Sequence, residues 1–557
     1  MAFARHTGLG PEDYERPMVG ICDTSSEINR CHTHFGPIID ALKRGVLMEG
    51  GVPMTFPTIS LGEMFTSPTT MLYRNLAAMD TEEMISAQPM DSVILLGACD
   101  KTIPAQLMGA ASADLPALQF SGGPMANGEY EGRTLGACSD CRGYWQEYRA
   151  GELAEEELDE INEALAPTAG HCMVMGSAST MAAVSEALGI MPAGTAAILA
   201  TDNRRLAAAQ EAGRQAVRLA ERGTRPSEIM TELAFENAIR VLSAIGGSTN
   251  AVIHLTAIAG RLGIDLNLED FDRLSRETPF IANLRPAGSY QMEEFSRAGG
   301  VPAVMSELSG LLHLDEPTVT GRSLGEETSG VRVSEVYRDV IYPAAEPLHA
   351  DGGLAVLRGS LAPSGALIKP KAATPELLEH RGRAVVFDGL EDLERRVDDP
   401  GLEVEPDDVL VLRGAGPAGA PGMPEAGLIP IPKKLLKRGV RDMVRISDCR
   451  MSGTASGTIV LHAAPEAAVG GPLALVQTGD AVELSVEERR LDLLVEEAEL
   501  DRRRAALSPP PLQTRGYARI HQEHVLQADE GCDLVFLRVA GPEGSGAQAG
   551  PGAARRG

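Results

Sequence analysis

Val93-Ile94-Leu95-Leu96-Gly97-Ala98-Cys99-Asp100-Lys101-Thr102-Ile103-Pro104 opens as an apolar run and closes as a shaped turn. Consecutive apolar residues without polar alternation suit a strand covered on both faces, as in a parallel sheet. Gly97, Thr102 and Pro104 mark the loop that follows, at the carboxyl end of the strand, where α/β proteins place ligands. In that loop a soft thiol donor, Cys99, is joined covalently to a hard carboxylate donor, Asp100. The pair points to an iron–sulfur cluster and a hard divalent cation side by side.

Outward from this stretch, residues 15–330 alternate apolar runs with helical patterns. Residues 181–188 and 204–222 carry apolar positions at helical spacing, and Gly122-Gly123-Pro124 and Pro192-Ala193-Gly194 mark loops. After about residue 330 the texture changes. Short β-like runs appear at 354–357, 384–387, 409–412, 459–461 and 473–476, separated by Gly, Pro and Asp turns. The expected fold class is α/β. An N-terminal α/β domain with a largely parallel sheet spans 1–330, and a C-terminal β-rich, barrel-like domain spans 331–540. Residues 541–557, rich in Gly and Ala, are expected to be a disordered tail.

The bulk composition narrows the class. A chain of 557 residues with 43% hydrophobic side chains can bury more than one core. A formal charge of −28 argues against nucleic acid or an anionic membrane as partner. No apolar run approaches the length of a membrane span, and the first residues lack the apolar core of a signal peptide. Eight irregularly spaced cysteines make no disulfide framework, so a reduced, cytoplasmic protein is expected.

Two further cysteines lie in polar, turn-rich stretches. Cys31 falls within Ser25 to His34, and Cys172 within Gly170-His171-Cys172-Met173, just before a helix start at Gly176-Ser177. A cluster held by four thiolates is saturated, whereas three ligands leave an iron able to act as a Lewis acid. Cys138-Ser139-Asp140-Cys141 competes, because C-x-x-C is a redox or zinc spacing. Beside Asp100, an unmodified Lys101 is a poor Mg²⁺ ligand, but capped by carbon dioxide as a carbamate it becomes an anionic oxygen donor. Farther on, Pro421-Gly422-Met423-Pro424-Glu425 sets a carboxylate in a rigid turn. The loop from Asp448 to Gly457 has amides that could cradle a carboxylate and a serine that could act as base near a metal.

Gly97 to Pro104, Ser121 to Met125, Gly247 to Ala251, Pro421 to Glu425 and Pro465 to Pro472 together resemble the dihydroxy-acid dehydratase/phosphogluconate dehydratase family over about residues 15–535. The resemblance implies a hydro-lyase that converts a 2,3-dihydroxy acid to a 2-oxo-3-deoxy acid. It implies Cys31, Cys99 and Cys172 as cluster ligands, for 2Fe–2S or alternatively 4Fe–4S. It further implies Mg²⁺ held by Asp100, carbamylated Lys101, Glu425 and, where many members have aspartate, Glu63. Ser452 matches the proposed proton acceptor. Homodimers or homotetramers are implied. Ala105, Glu63 and the order Ser452-Gly453-Thr454-Ala455 depart from the branched-chain pattern and look more like sugar-acid enzymes such as pentonate dehydratases. The alternatives are a branched-chain dihydroxy-acid dehydratase, a non-catalytic iron–sulfur protein, or a thiol or zinc oxidoreductase built on Cys138 and Cys141.

Overall fold

Four strands build the first sheet of the computed structural model, which describes residues 8–539. They are β1 (Met18–Asp23), β2 (Val52–Pro57), β3 (Ser92–Gly97) and β4 (Ala117–Ser121). Their order is β2-β1-β3-β4 and every pairing is parallel. All six residues of β3 are buried, as an unbroken apolar run requires of a central strand. Helices α1 (Phe35–Met48), α2 (Thr70–Ala87) and α3 (Thr102–Ala113) make the crossovers. Thr69 starts α2, its Oγ1 accepting the Met71 amide.

The strand–helix alternation expected up to residue 330 ends at β4. After a small hairpin, β5 (Gly128–Tyr130) with β6 (Arg133–Leu135), the regular elements as far as Thr328 are helices. They begin with α4 (Asp140–Ala150), α5 (Glu155–Ala164), α6 (Ser177–Ala187) and α7 (Asn203–Arg222). Every residue of α6 is buried, so it is surrounded by other helices rather than laid on a sheet by one stripe. The amphipathic α7 instead covers α1. A Cβ on Gly45 would lie 1.9 Å from the Gln210 carbonyl oxygen, and one on Gly213 would lie 2.2 Å from that of Leu42. Glycine at both positions is what lets these two backbones cross so closely.

The second sheet has eight strands. They are β7 (Ala355–Leu357), β8 (Gly365–Ile368), β9 (Glu379–Asp388), β10 (Val409–Arg413), β11 (Arg445–Ser447), β12 (Ile459–Ala464), β13 (Ala481–Ser485) and β14 (Arg490–Leu493). Their order is β14-β13-β9-β10-β11-β12-β8-β7, with a parallel centre and antiparallel flanks. A bridge between Arg358 and Arg490 joins the two ends, so the sheet is nearly closed and barrel-like. Side chains alternate between its faces: Ala384, Val386, Val409 and Val411 enter one core. Val385, Phe387, Leu410 and Leu412 enter another, shared with Met71 and Ile253 of the N-terminal half.

One short strand expected from the sequence is absent. Pro472–Leu475 forms a 3₁₀ turn rather than a strand at 473–476. Pro472 at its first position fixes φ and has no amide to give a ladder, yet Leu473 and Leu475 remain buried. The expected tail at 541–557 lies outside the described residues. No helix among the described residues is long and apolar enough to cross a membrane.

Candidate active site

Parallel strands deliver their loops to one end of the sheet, and that end carries the chemistry. β1 leads to Cys31, β2 to Glu63, β3 to Cys99-Asp100-Lys101, and β4 to Gly122-Gly123. In the second sheet β10 leads to Glu425 and β11 to Arg450 and Ser452.

Three carboxylates from three loops converge on one buried amine. Lys101 Nζ lies 2.5 Å from Asp100 Oδ2, 3.6 Å from Glu63 Oε2 and 3.8 Å from Glu425 Oε1. Burial and Arg450 push this lysine down, but the three carboxylates outweigh them and raise it, so it is an ammonium. Burial lifts Glu63 to about 7 against the pull of Lys101, and the Thr70 hydroxyl donates to it. For Glu425 burial acts upward too, but Arg450 and Lys101 prevail and hold it below the usual carboxylate range. Among the described residues no three His, Cys, Asp or Glu side chains already stand at metal-ligand spacing. The ammonium itself fills the point on which the three carboxylates converge, and their hard oxygens suit Mg²⁺.

Arg450, missed as a site residue in the sequence, ties this cluster together. Its guanidinium is fully buried and donates to Glu425 Oε1 at 2.5 Å and Thr69 Oγ1 at 2.7 Å. Asn250 also escaped notice; its amide donates to Ser177 Oγ at 2.9 Å, the Met451 carbonyl at 3.2 Å and Glu425 Oε1 at 3.4 Å. Ser177 and Asn250 open two helices, so two positive dipole ends face the turn that carries Glu425.

The thiols lie among polar groups. Cys99 Sγ donates to Asp100 Oδ1 at 3.7 Å, and the Cys31 thiol, together with burial, raises Cys99 well above a free thiol. Cys172 lies against Cys138, with 3.4 Å between their sulfurs. The segments meet at the end of β4. His34 Nε2 reaches the Gly122 carbonyl at 2.9 Å, and a Cβ on Gly122 would lie 2.9 Å from that of Ala98. The His171 amide donates to the Gly123 carbonyl at 3.1 Å. All eight cysteines are free, and a set of converging thiols is a donor set suited to an iron–sulfur cluster. His32 orients the Cys99 turn, its Nε2 accepting the Ala98 and Cys99 amides at 3.2 and 3.1 Å. Nδ1 therefore carries the proton and donates to the Thr24 carbonyl at 2.7 Å. Burial, which lowers His32 to about 3, keeps it neutral.

Ser452 Oγ is 2.8 Å from Thr454 Oγ1, and Thr454 donates in turn to the Cys138 carbonyl at 3.3 Å. Beside this loop a cavity of about 290 Å³ is lined by Ser139, Arg142, Thr454 and Ser456, among others. Arg142 Nη1 is buried there without a hydrogen-bond partner among the described residues. Its charge helps lower Glu425. The only sequence signal for Arg142 was its place directly after Cys141.

Family models described as dihydroxy-acid/6-phosphogluconate dehydratase N-terminal and C-terminal match residues 16–327 and 339–532. The chain is 50% identical over 526 residues to an L-arabinonate dehydratase of Rhizobium leguminosarum bv. trifolii, covering 94% of this chain and 90% of that one. It is 45% identical over 536 residues to a 6-deoxy-6-sulfo-D-gluconate dehydratase of Pseudomonas putida, covering 96% and 92%. Against a dihydroxy-acid dehydratase of Ignicoccus hospitalis it is 39% identical over 551 residues, covering 96% and 97%.

Proposed function

The chain belongs to the dihydroxy-acid/6-phosphogluconate dehydratase family and is a hydro-lyase, and from that premise we propose that it dehydrates a sugar acid of the pentonate class to the 2-oxo-3-deoxy acid. The observation that carries this reading is the convergence of Glu63, Asp100 and Glu425 on Lys101 Nζ, next to Cys99. Names favour sugar acids: the relatives named for them reach 50% and 45% identity, against 39% for the dihydroxy-acid dehydratase.

Cys31, Cys99 and Cys172 would hold the iron–sulfur cluster, of the 2Fe–2S type. Glu63, Asp100, Glu425 and Lys101 as carbamate would hold Mg²⁺. When bound, the cluster supplies a Lewis acid for the departing hydroxyl, and Mg²⁺ acidifies the C2 proton. Electrostatics favour the exchange. Turning the Lys101 ammonium into a carbamate removes two positive charge units, which one divalent cation restores, so the charge beside Arg450 is unchanged.

The protein's own groups do the rest. Arg142, partnerless in the cavity, binds the substrate's carboxylate or a distal hydroxyl. Ser452 gives its own proton to solvent and, as the alkoxide, takes the C2 proton at Oγ and passes it to the departing hydroxyl. With Thr454 donating to the Cys138 carbonyl, the Ser452 hydroxyl donates to Thr454. Once Ser452 has lost its proton, Thr454 turns its hydroxyl to the alkoxide, joined by its own amide at 3.5 Å. Arg450 and Asn250 keep Glu425 ionised and in place throughout.

Free thiols fit a reducing cytoplasm. Exposed Ile28, Met64 and Phe65 flank Cys31 and Glu63 and suit a partner subunit in a homodimer or homotetramer. The test is a screen of anaerobically purified enzyme, with pentonates, hexonates and dihydroxyisovalerate, for 2-oxo-acid formation. Turnover of pentonates is expected; turnover of dihydroxyisovalerate alone would overturn the sugar-acid reading.

A further inference from the structure

A buried ammonium without a partner stands at the end of β8. Lys369 follows Ile368 in extended conformation, is 2% exposed, and its Nζ has no hydrogen-bond partner among the described residues. Burial alone acts on it and lowers it to about 8, so it stays largely charged at neutral pH with no carboxylate to answer that charge. Lys371, two residues on, is by contrast paired with Asp351 at 2.7 Å. An enclosed cation without an anion is costly, and a fold that keeps one has a use for it.

The strand register fixes which way Lys369 points. Leu367 pairs with Leu461, and directly opposed residues of an antiparallel pair share a face. Ile368 and Val460 enter the barrel core, so Lys369 returns to the face of Leu367, Leu461 and Ile459. On that face Ile459 and Leu461 pack with Met451 and Ala455, the two residues that bracket Ser452-Gly453-Thr454. Beyond Lys369 the chain is fastened to the far end of the same loop. The Gly457 amide donates to the Ala372 carbonyl at 2.7 Å, and the Thr374 amide to Thr458 Oγ1 at 3.2 Å. Ala372, Ala373 and Thr374 then form one wall of the cavity that Thr454 and Arg142 also line. We propose that Lys369 is a further substrate-binding residue, its ammonium receiving the carboxylate of the sugar acid beneath the Ser452 loop. This rests on the sugar-acid dehydratase reading, and it leaves Arg142 for a hydroxyl at the other end of the substrate. C2, one bond from the carboxylate, is then the carbon presented to Ser452. The ammonium also offsets the negative charge that builds beside the carboxylate as C2 gives up its proton.

The test uses the reconstituted holoenzyme and two inhibitors: 3-deoxypentonate, which lacks the departing hydroxyl, and its amide, which also lacks the charge. Lys369→Met keeps the apolar stem and removes the ammonium, whereas Lys369→Arg keeps a cation. The wild type should bind the acid more tightly than the amide. Lys369→Met should lose about tenfold or more of that preference by weakening the acid alone, and Lys369→Arg should regain part of it. Iron content should match the wild type. The melting temperature of ligand-free Lys369→Met should be no lower, because a lone buried charge has gone. Equal weakening of acid and amide, or a lower melting temperature with the preference intact, would overturn the inference and leave the dehydratase reading standing. A wild type that binds neither compound and turns over no pentonate overturns both.

Discussion

Arg450 and Glu425 form a buried ion pair at 2.5 Å that joins the two turns after β10 and β11 to the carboxylates of the first sheet. The guanidinium is fully enclosed and its second arm reaches Thr69, at the start of α2. One side chain thus spans the seam between the two sheets.

Arg450→Met should lower stability by about 3–5 kcal/mol, because it removes the nearest charged partner of the buried Glu425 carboxylate and leaves it the more distant Lys101, Arg142 and Asn250. Arg450→Lys keeps the charge but cannot reach Glu425 and Thr69 together, so it should lose less. Denaturation midpoints of the three proteins check the order. Equal midpoints would mean that the pair holds nothing.

Ser452→Ala should reduce kcat by about 10²- to 10⁴-fold, the usual contribution of a positioned proton acceptor. Iron content and visible absorbance should stay as in the wild type. Thr454→Val, which removes only the hydroxyl beside Ser452, should fall between the two.

Arg142→Gln is expected to act on binding. Losing a charged hydrogen bond of about 1.5–3 kcal/mol should raise KM by roughly 10- to 100-fold with little change in kcat. A loss confined to kcat would move Arg142 from holding the substrate to shaping the reaction.

Lys101→Arg keeps a cation among the three carboxylates but cannot become a carbamate. Wild type supplied with Mg²⁺ and carbon-13 bicarbonate should show a carbamate carbonyl resonance and a raised melting temperature. The variant should show neither. Chelating the Mg²⁺ should reverse the gain, because a ligand held only by the folded state stabilises that state.

Two buried groups should bend stability in opposite directions on the acid side of neutrality. Burial, then Arg450, brings His462 down to about 3. A histidine neutral in the fold but protonated when unfolded stabilises fully above its ordinary 6.5, and that support is lost as pH falls from 6.5 towards 3. Burial lifts Glu186 to about 7, so its support is complete below 4.5 and is lost as pH rises through 7. Between about pH 4.5 and 6.5 the melting temperature should therefore rise less steeply with pH in His462→Asn than in the wild type, and more steeply in Glu186→Gln. Asparagine suits the φ of +57° at position 462.

The strands were legible where burial is two-sided or strictly alternating, as in Val93 to Leu96 and in Val409 to Leu412. Leu473 to Val476 misled because its apolar residues are buried in a turn, and burial rather than strand pairing explains them. The helical stretch after β4 was misread as continued alternation, since an all-round apolar helix such as α6 has no stripe to declare its period. Glu63, Asp100, Lys101 and Glu425 were found by motif and are brought together by the fold. Arg450, Asn250 and His32 lie within the quoted stretches and Arg142 beside Cys141, but nothing local gives them a role. Their roles arise from partners distant in the chain, such as Thr69 for Arg450 and the Ala98 amide for His32. Sequence spacing does not encode such meetings.

Because Glu63, Asp100 and Lys101 rise from one sheet while Glu425, Arg450 and Ser452 descend from the other, neither half is a working module. A chimera made by exchanging halves with a relative takes Cys31, Cys99 and Cys172 from one parent and Ser452 from the other. Its fitness depends on how well Arg450 from the second parent meets Thr69 and, at 3.7 Å, Glu63 from the first. Recombination within this chain is thus policed at the seam, and the two halves are expected to diverge in step.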